Sequence, residues 1–318
     1  MNAWEGIFLN SIIMMVISFV ITAITIPLFG RLAYRYNIVD KPDGELKPHE
    51  RITPYLGGIS IFLAVISTTP FDLITKLSLT LLVLTGLIDD VRTLSPRVRL
   101  AIEFAVSIML TLKYIGLSFI APIYIVAIVA LINAVNMMDG MDGVCASVSI
   151  ISAAGLIFTA TSSYDRLLLF TLIGALLGYL IYNFPPARIF MGDAGSYLIG
   201  GVLSIGILSS ARRGDHTMVS AIIFVSIFLF DFLAGILRRV LNGRSPFNGD
   251  RDHMYDKIQS KLKDNKKTLF AMIGIQLIIF LVGYVSKQSL IFSTISAIAV
   301  TIIYILVGIV LKILKYNR

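Results

Sequence analysis

Cysteine is nearly missing from this 318-residue chain. Cys145 stands alone, which excludes an intramolecular disulfide and a thiolate metal cluster and leaves a small helix-packing residue. Charge is also scarce: 14% of residues are Asp, Glu, Lys or Arg and 57% are hydrophobic, whereas a soluble domain carries about 25% charged residues. That deficit excludes an ordinary soluble domain and points to an integral membrane protein. Low-complexity tracts are absent, as is any repeat between the two halves, which argues against a secondary transporter built from paired repeats. The net charge of +8 does not signal nucleic-acid binding, because no basic stretch is interleaved with aromatic stacking positions.

What is present is a series of apolar runs near 20 residues, interrupted by Gly and Pro, which reads as helices rather than barrel strands. The expected fold is all-α, a polytopic membrane bundle of about eleven transmembrane helices, ten at the lower count. They fall at roughly 5-30, 55-70, 74-90, 99-116, 119-138, 143-162, 166-184, 194-210, 217-238, 268-286 and 289-312. With the N-terminus outside, 21 of the 27 basic residues fall on internal segments, so the positive-inside rule puts the C-terminus in the cytoplasm. The first run lacks a basic leader and reads as a retained helix, not a signal peptide. The whole chain, 1-318, is expected to be one transmembrane domain in the cell membrane. Its site would be formed on the cytoplasmic side by 31-54, 89-98, 136-143, 184-194 and 239-267.

Three short stretches gather acids at the ends of apolar runs on that side. Asp89 and Asp90 close the third run; adjacent helical residues point about 100° apart, so one faces a ligand while the other orients it, or both are a solvated helix end. Asn133, Asn136, Asp139 and Asp142 are spaced by three, which aligns neighbours on a helical face, and Gly140 and Gly143 break the helix there. Polar groups so close to lipid are costly unless they line a hydrated cavity. Asp193 lies between Gly192 and Gly195 at the start of an apolar run, as a helix cap or as a metal ligand. Oxygen ligands without His or Cys clusters favour Mg²⁺, which takes one or two protein ligands plus phosphate oxygens.

Cations come from the last internal loop. Asp231, Gly235 and Arg238 share a helical stripe, and Arg238-Arg239 is followed by Arg244, Arg251 and His253, a set suited to a diphosphate. The stretch from Lys257 to Lys267 reads as solvated or facing headgroups, and Glu103 as the ion-pair partner of Arg99 four residues earlier. Lys47, His49 and Arg51 lead into a turn-rich segment that either closes over an anionic substrate or anchors the chain by its charge.

Taken in order, the segment Thr53-Pro54-Tyr55-Leu56-Gly57-Gly58, GLIDD at 86-90, NAVNMMDGMDG at 133-143, PARIFMGDAGS at 186-196 and GRSPF at 243-247 followed by His253 carry a resemblance over nearly the whole chain. It resembles the polyprenyl-phosphate N-acetylhexosamine-1-phosphate transferases of glycosyltransferase family 4. The double Arg before GRSPF makes it more like the UDP-N-acetylglucosamine type that starts teichoic-acid or O-antigen glycans than the muramoyl-pentapeptide type. The resemblance implies transfer of a sugar 1-phosphate from a UDP-N-acetylhexosamine to undecaprenyl or another polyprenyl phosphate, with release of UMP. It implies Asp193 as Mg²⁺ ligand with Asn136 as helper, Mn²⁺ being a substitute, and Asp89 with Asp90 at the lipid phosphate. Asp139, Asp142, Phe190 and Lys47 would serve the nucleotide; Arg251, His253, His49 and Arg244 the diphosphate and sugar. A homodimer is left open. Two positions depart from the pattern: Thr93 replaces a frequent third acid, and a multi-histidine run shrinks to His253-Met254-Tyr255-Asp256. The rivals are a transporter or channel for an anionic solute and a non-catalytic binder.

Overall fold

A computed structural model describes residues 3–40, 52–70, 72–246 and 249–316. Twelve helices are found among them: α1 (Ala3–Arg35), α2 (Gly57–Thr68), α3 (Leu73–Val91), α4 (Pro96–Tyr114), α5 (Ala121–Met138), α6 (Val144–Ile157), α7 (Ser163–Asn183), α8 (Gly192–Ala211), α9 (Asp215–Leu241), α10 (Met254–Leu262), α11 (Asn265–Ser286) and α12 (Leu290–Val310). Each of the eleven expected apolar segments coincides with one of them. Seven helices are long and apolar enough to cross a membrane: α1, α5, α7, α8, α9, α11 and α12. At 1.5 Å per residue, the 12 residues of α2 and the 14 of α6 reach only about 20 Å, short of a hydrocarbon core of about 30 Å.

The helix starts follow local chemistry. Asp72 caps α3 by accepting from the Thr75 N–H at 3.1 Å, Ser95 caps α4 ahead of Pro96, and Ser162, Asp264 and Ser289 cap α7, α11 and α12. Helix ends run past the apolar stretches: α1 continues to Arg35 and α9 to Leu241, because Arg, Leu and Tyr extend a helix as readily in water as in lipid.

Two departures from the expected architecture bear on the site. Val39–Asp40 (β1) and Thr53–Pro54 (β2) pair antiparallel, Val39 opposite Pro54 and Asp40 opposite Thr53; a residue before proline favours extended backbone. Residues 254–262, expected to be loop, form α10. Its start is a capping box in which the His253 N–H donates to the Asp256 carboxylate at 3.1 Å, and Met254, Tyr255 and Ile258 are buried.

α8 is the central helix, buried along nearly its whole length. It packs against α2, α3, α5, α6, α7 and α9, so its first turn meets the ends of its neighbours. Close approach at that end requires glycine. A Cβ on Gly86 of α3 would collide with the backbone of Asp193 and Ala194, and one on Gly58 of α2 with the backbone of Gly195 and Met191.

Candidate active site

The first turn of α8 holds the acids in place. Asp90, from the end of α3, accepts the backbone N–H of Asp193 at 2.9 Å and that of Ala194 at 3.4 Å, and so caps a helix to which it does not belong. Gly192 adopts φ +67°, and the Asp90 carboxylate occupies the space a side chain there would need. Asn136, in the last turn of α5, donates from Nδ2 to Asp193 Oδ1 at 2.8 Å and to Ser196 Oγ at 3.0 Å. Arg99 of α4 bridges Asp89 Oδ2 at 2.8 Å and Asp193 Oδ2 at 3.7 Å, and the Leu94 N–H also donates to Asp89. Asp89, Asn136 and Asp193 are therefore brought together from three helices, with the Asp89 side chain 6% exposed behind an Arg99 that is 29% exposed.

Beside them lies a cavity of about 830 Å³. Its walls include Asn136, Asp139, Asp142, Phe190, Asp193, Arg251 and His253, together with Asp40, Tyr55 and Asp256. Asp139 caps the C-terminal end of α5, and burial with the charges of Asp193, Asp90 and Asp142 pushes its carboxyl well above the ordinary range. Asp142 accepts the Ala187 N–H at 2.9 Å. Phe190 is fixed by its backbone: its N–H donates to Pro54 O at 2.8 Å and its carbonyl accepts the Gly57 N–H at 3.0 Å, while its ring lies 6.2 Å from that of Tyr55.

The opposite wall is the 249–256 segment. Asp231 Oδ2 meets His253 Nδ1 at 2.7 Å and Asp231 Oδ1 accepts the Met254 N–H at 2.7 Å. His253 Nε2 is 3.4 Å from Asp250, and the ring stacks on Tyr255 with centroids 5.6 Å apart. Burial disfavours the imidazolium, yet the charge of Asp231 and then of Asp250 and Asp256 raises its pKa above the usual value. Arg251 donates to Gly140 O at 2.8 Å and lies 3.9 Å from Asp256. Burial raises Asp256 to about 6 against the pull of Arg251 and His253.

Several expected placements are corrected. Arg238 and Arg239 do not form a free diphosphate clamp: Arg238 is away from the cavity lining and Arg239 is on it, and both are tied to Asp250, Arg238 through Nη2 at 2.8 Å and Arg239 through Nη2 at 3.1 Å. Burial resists the Asp250 charge, but hydrogen bonds from Arg239 and Arg238 outweigh it and hold that carboxyl below the ordinary range. Arg244 is exposed and stacks 4.1 Å over Tyr316, away from the cavity lining. Asn133 donates to Glu103 instead of joining Asn136, and the expected stripe ends with α5 at Met138, so Asp139 and Asp142 are not helical. Arg99, expected to pair with Glu103, is drawn to the acids at the cavity. Lys257 is buried against Asp252 rather than solvated. Lys47 and His49 lie outside the described residues. Conversely, Arg99, Asp40, Tyr55 and Tyr255 were not singled out as site residues. The signal for Arg99 was its position one turn into the helix that returns from Asp89.

Among the described residues, no three acidic, His or Cys side chains converge on one coordination point, so these residues do not offer a closed protein cage. Mg²⁺ needs only one or two carboxylates when water and phosphate oxygens complete its shell. Asp193, oriented by Asn136, fits that need, and the accumulated negative charge around Asp139 is what a divalent cation would offset.

Comparison with known proteins agrees in kind. Residues 73–211 match the family model described as glycosyl transferase family 4. A Haemophilus influenzae protein named undecaprenyl-phosphate alpha-N-acetylglucosaminyl 1-phosphate transferase is 33% identical over 75% of this chain and 76% of its own. A Thermotoga maritima protein of the same name is 28% identical over 87% of this chain and 90% of its own. A Bacillus subtilis protein, named as a probable undecaprenyl-phosphate N-acetylglucosaminyl 1-phosphate transferase, is 27% identical over 87% and 84% respectively.

Proposed function

Since the chain belongs to glycosyl transferase family 4, we propose that it transfers N-acetylglucosamine 1-phosphate from UDP-N-acetylglucosamine to undecaprenyl phosphate at the cytoplasmic face of the cell membrane. An oxygen of the acceptor phosphate forms a bond to the β-phosphorus of the donor, the bond to the UMP oxygen breaks, and UMP leaves. The observation that carries this reading is the cavity itself: at the ends of membrane-length helices, Asp139, Asp142 and an Asp193 oriented by Asn136 share its lining with Arg251 and His253. An acceptor with its tail in lipid and a nucleotide sugar arriving from water can meet at such a place and nowhere deeper.

Transfer between two anions depends on alignment and on neutralising charge more than on covalent chemistry. Asp193 with Asn136 would hold Mg²⁺, which supplies charge neutralisation at the diphosphate when bound. Asp90 keeps Asp193 in register by capping α8. Asp89, more buried than Arg99 and tied to it, positions the acceptor side through that guanidinium. Arg251 and His253, the latter held by Asp231, face the sugar-phosphate half of the donor, and Phe190 and Asp142 take the uridine. The N-acetylglucosaminyl names of the relatives favour this donor over a muramoyl-pentapeptide one.

The test is to offer the purified protein Mg²⁺, undecaprenyl phosphate and a panel of UDP-sugars, measuring UMP and lipid-diphosphate sugar. UMP and lipid product with UDP-N-acetylglucosamine are expected. Failure of every UDP-N-acetylhexosamine to yield UMP would refute the reading.

A further inference from the structure

The segment 311–316, which follows α12, is bound to the site wall by side chains whose other contacts are the wall's own acids. After Val310 the chain turns back: Lys312 has φ +51°, the Ile313 N–H reaches Gly308 O at 3.0 Å, and the Ile313 side chain is buried. The Ile313 carbonyl then accepts from Arg238 Nη1 at 2.8 Å. That guanidinium, 0% exposed, is the one that chelates Asp250, and Asp250 contacts His253. Further along, the Lys315 carbonyl accepts from Lys257 Nζ at 2.6 Å, and Lys257, 2% exposed, pairs with Asp252. Lys261 donates to Val310 O at 3.1 Å, and Tyr316 lies under the Arg244 guanidinium.

The segment is thus fastened on both sides of Arg251 and just ahead of His253, through Arg238 to Asp250 and through Lys257 to Asp252. Its acceptors are backbone carbonyls, which complete the hydrogen bonding of two buried cations. A buried cation that loses a partner is costly, so the arrangement resists displacement. Of these groups, Asp250 and His253 line the cavity, whereas Arg238, Asp252, Lys257 and the segment itself do not.

We propose that residues 311–316 are a positioning element of the transferase site, a strap that holds the Asp250–Asp256 wall in register for the sugar-phosphate half of the donor. The proposal rests on the transferase reading for its kinetic part. Its structural part can be read without turnover. Lys257 acts through Asp252 and the strap, so it is a positioning residue and not a catalytic one.

The test uses the full chain, a variant ending at Val310, Lys257→Met and Lys257→Arg. In wild-type protein, backbone amides 250–258 are expected to exchange slowly with deuterated water. Removal of 311–318 and Lys257→Met should speed that exchange while leaving 136–143 unchanged. Both should raise KM for UDP-N-acetylglucosamine about tenfold, as loss of a charge-assisted contact does, with KM for undecaprenyl phosphate unaltered and Lys257→Arg close to wild type. A general loss of stability would instead speed exchange at 136–143 as well and move both KM values, and that outcome overturns the proposal. A truncated chain that melts like wild type, with unchanged exchange at 250–258 or unchanged donor KM, overturns the proposal. If the wild type releases no UMP, the functional reading fails by itself, and slow exchange at 250–258 that the truncation does not accelerate still refutes the strap.

Discussion

Replacing Gly86 by alanine adds one methyl group where α3 crosses the first turn of α8. On an isolated helix, alanine in place of glycine stabilises by about 1 kcal/mol, so local propensity predicts a gain. The added Cβ, however, would sit well inside contact distance of the Asp193 and Ala194 backbone. Main-chain atoms cannot rotate away as a side-chain tip would. The two helices must part by about 1 Å to restore ordinary contact, and overpacking of this kind costs about 1–3 kcal/mol. Net stability should therefore change by no more than about 2 kcal/mol, and the protein should fold. Activity should not follow stability, because the displaced atoms carry Asp193, which must keep its 2.8 Å hydrogen bond to Asn136 and its approach to Arg99. A 1 Å misplacement of a reacting constellation costs on the order of 100-fold in rate. UMP release at saturating donor and acceptor, read beside thermal melts, is the assay. Gly274→Ala serves as the control, because nothing lies within 4 Å of its added methyl. A Gly86→Ala protein with wild-type kcat would refute the claim that this helix crossing sets the geometry of Asp193.

Asp193→Asn should abolish UMP release while the thermal midpoint stays near wild type; full activity would exclude Asp193 as the metal-holding residue. Chelation with EDTA should stop turnover, with Mg²⁺ restoring it fully and Mn²⁺ in part; unchanged turnover in chelator removes the divalent ion from the reading. Burial raises Asp256 to about 6 in the folded chain, above the ordinary carboxylate value of about 4, so the folded state binds the extra proton between those values. Its contribution to stability is complete below about pH 4 and is lost as pH rises through 6. Melts of Asp256→Asn from pH 4 to 7 should accordingly show a weaker decline than wild type, and an identical decline would reject the assignment.

The helices other than α10 were legible because each is announced by a run of apolar residues, and α3, α4, α7, α11 and α12 also begin at a capping side chain. Asp89, Asn136, Asp139, Asp142 and Asp193 were legible as a group because acids at the ends of apolar runs must share a membrane face once the charge asymmetry orients the chain. The stripe of Asp231, Gly235 and Arg238 also holds, all three lying around His253 or Asp250. The partner of each charge was not legible. Arg99 has Glu103 four residues away and Asp89 ten residues back, and spacing favours the former; the chosen partner depends on how α3 and α4 meet α8. α10 was hidden because Lys257, Lys261 and Lys263 look like a solvated run until Asp252 and the strap are in place to receive Lys257.

By itself, then, the order of residues determined a bundle of apolar helices, the acids that end them and the chemistry these suggest, since hydropathy and capping act over a few residues. Tertiary structure decided which charges are spent on each other and which face the cavity. Asp250 takes up Arg238 and Arg239, Asp90 takes up the N-terminus of α8, and Arg251, His253 and Asp193 remain on the cavity. The reason is that Coulomb attraction and desolvation depend on distance in space, and groups far apart in sequence become neighbours only when the helices pack.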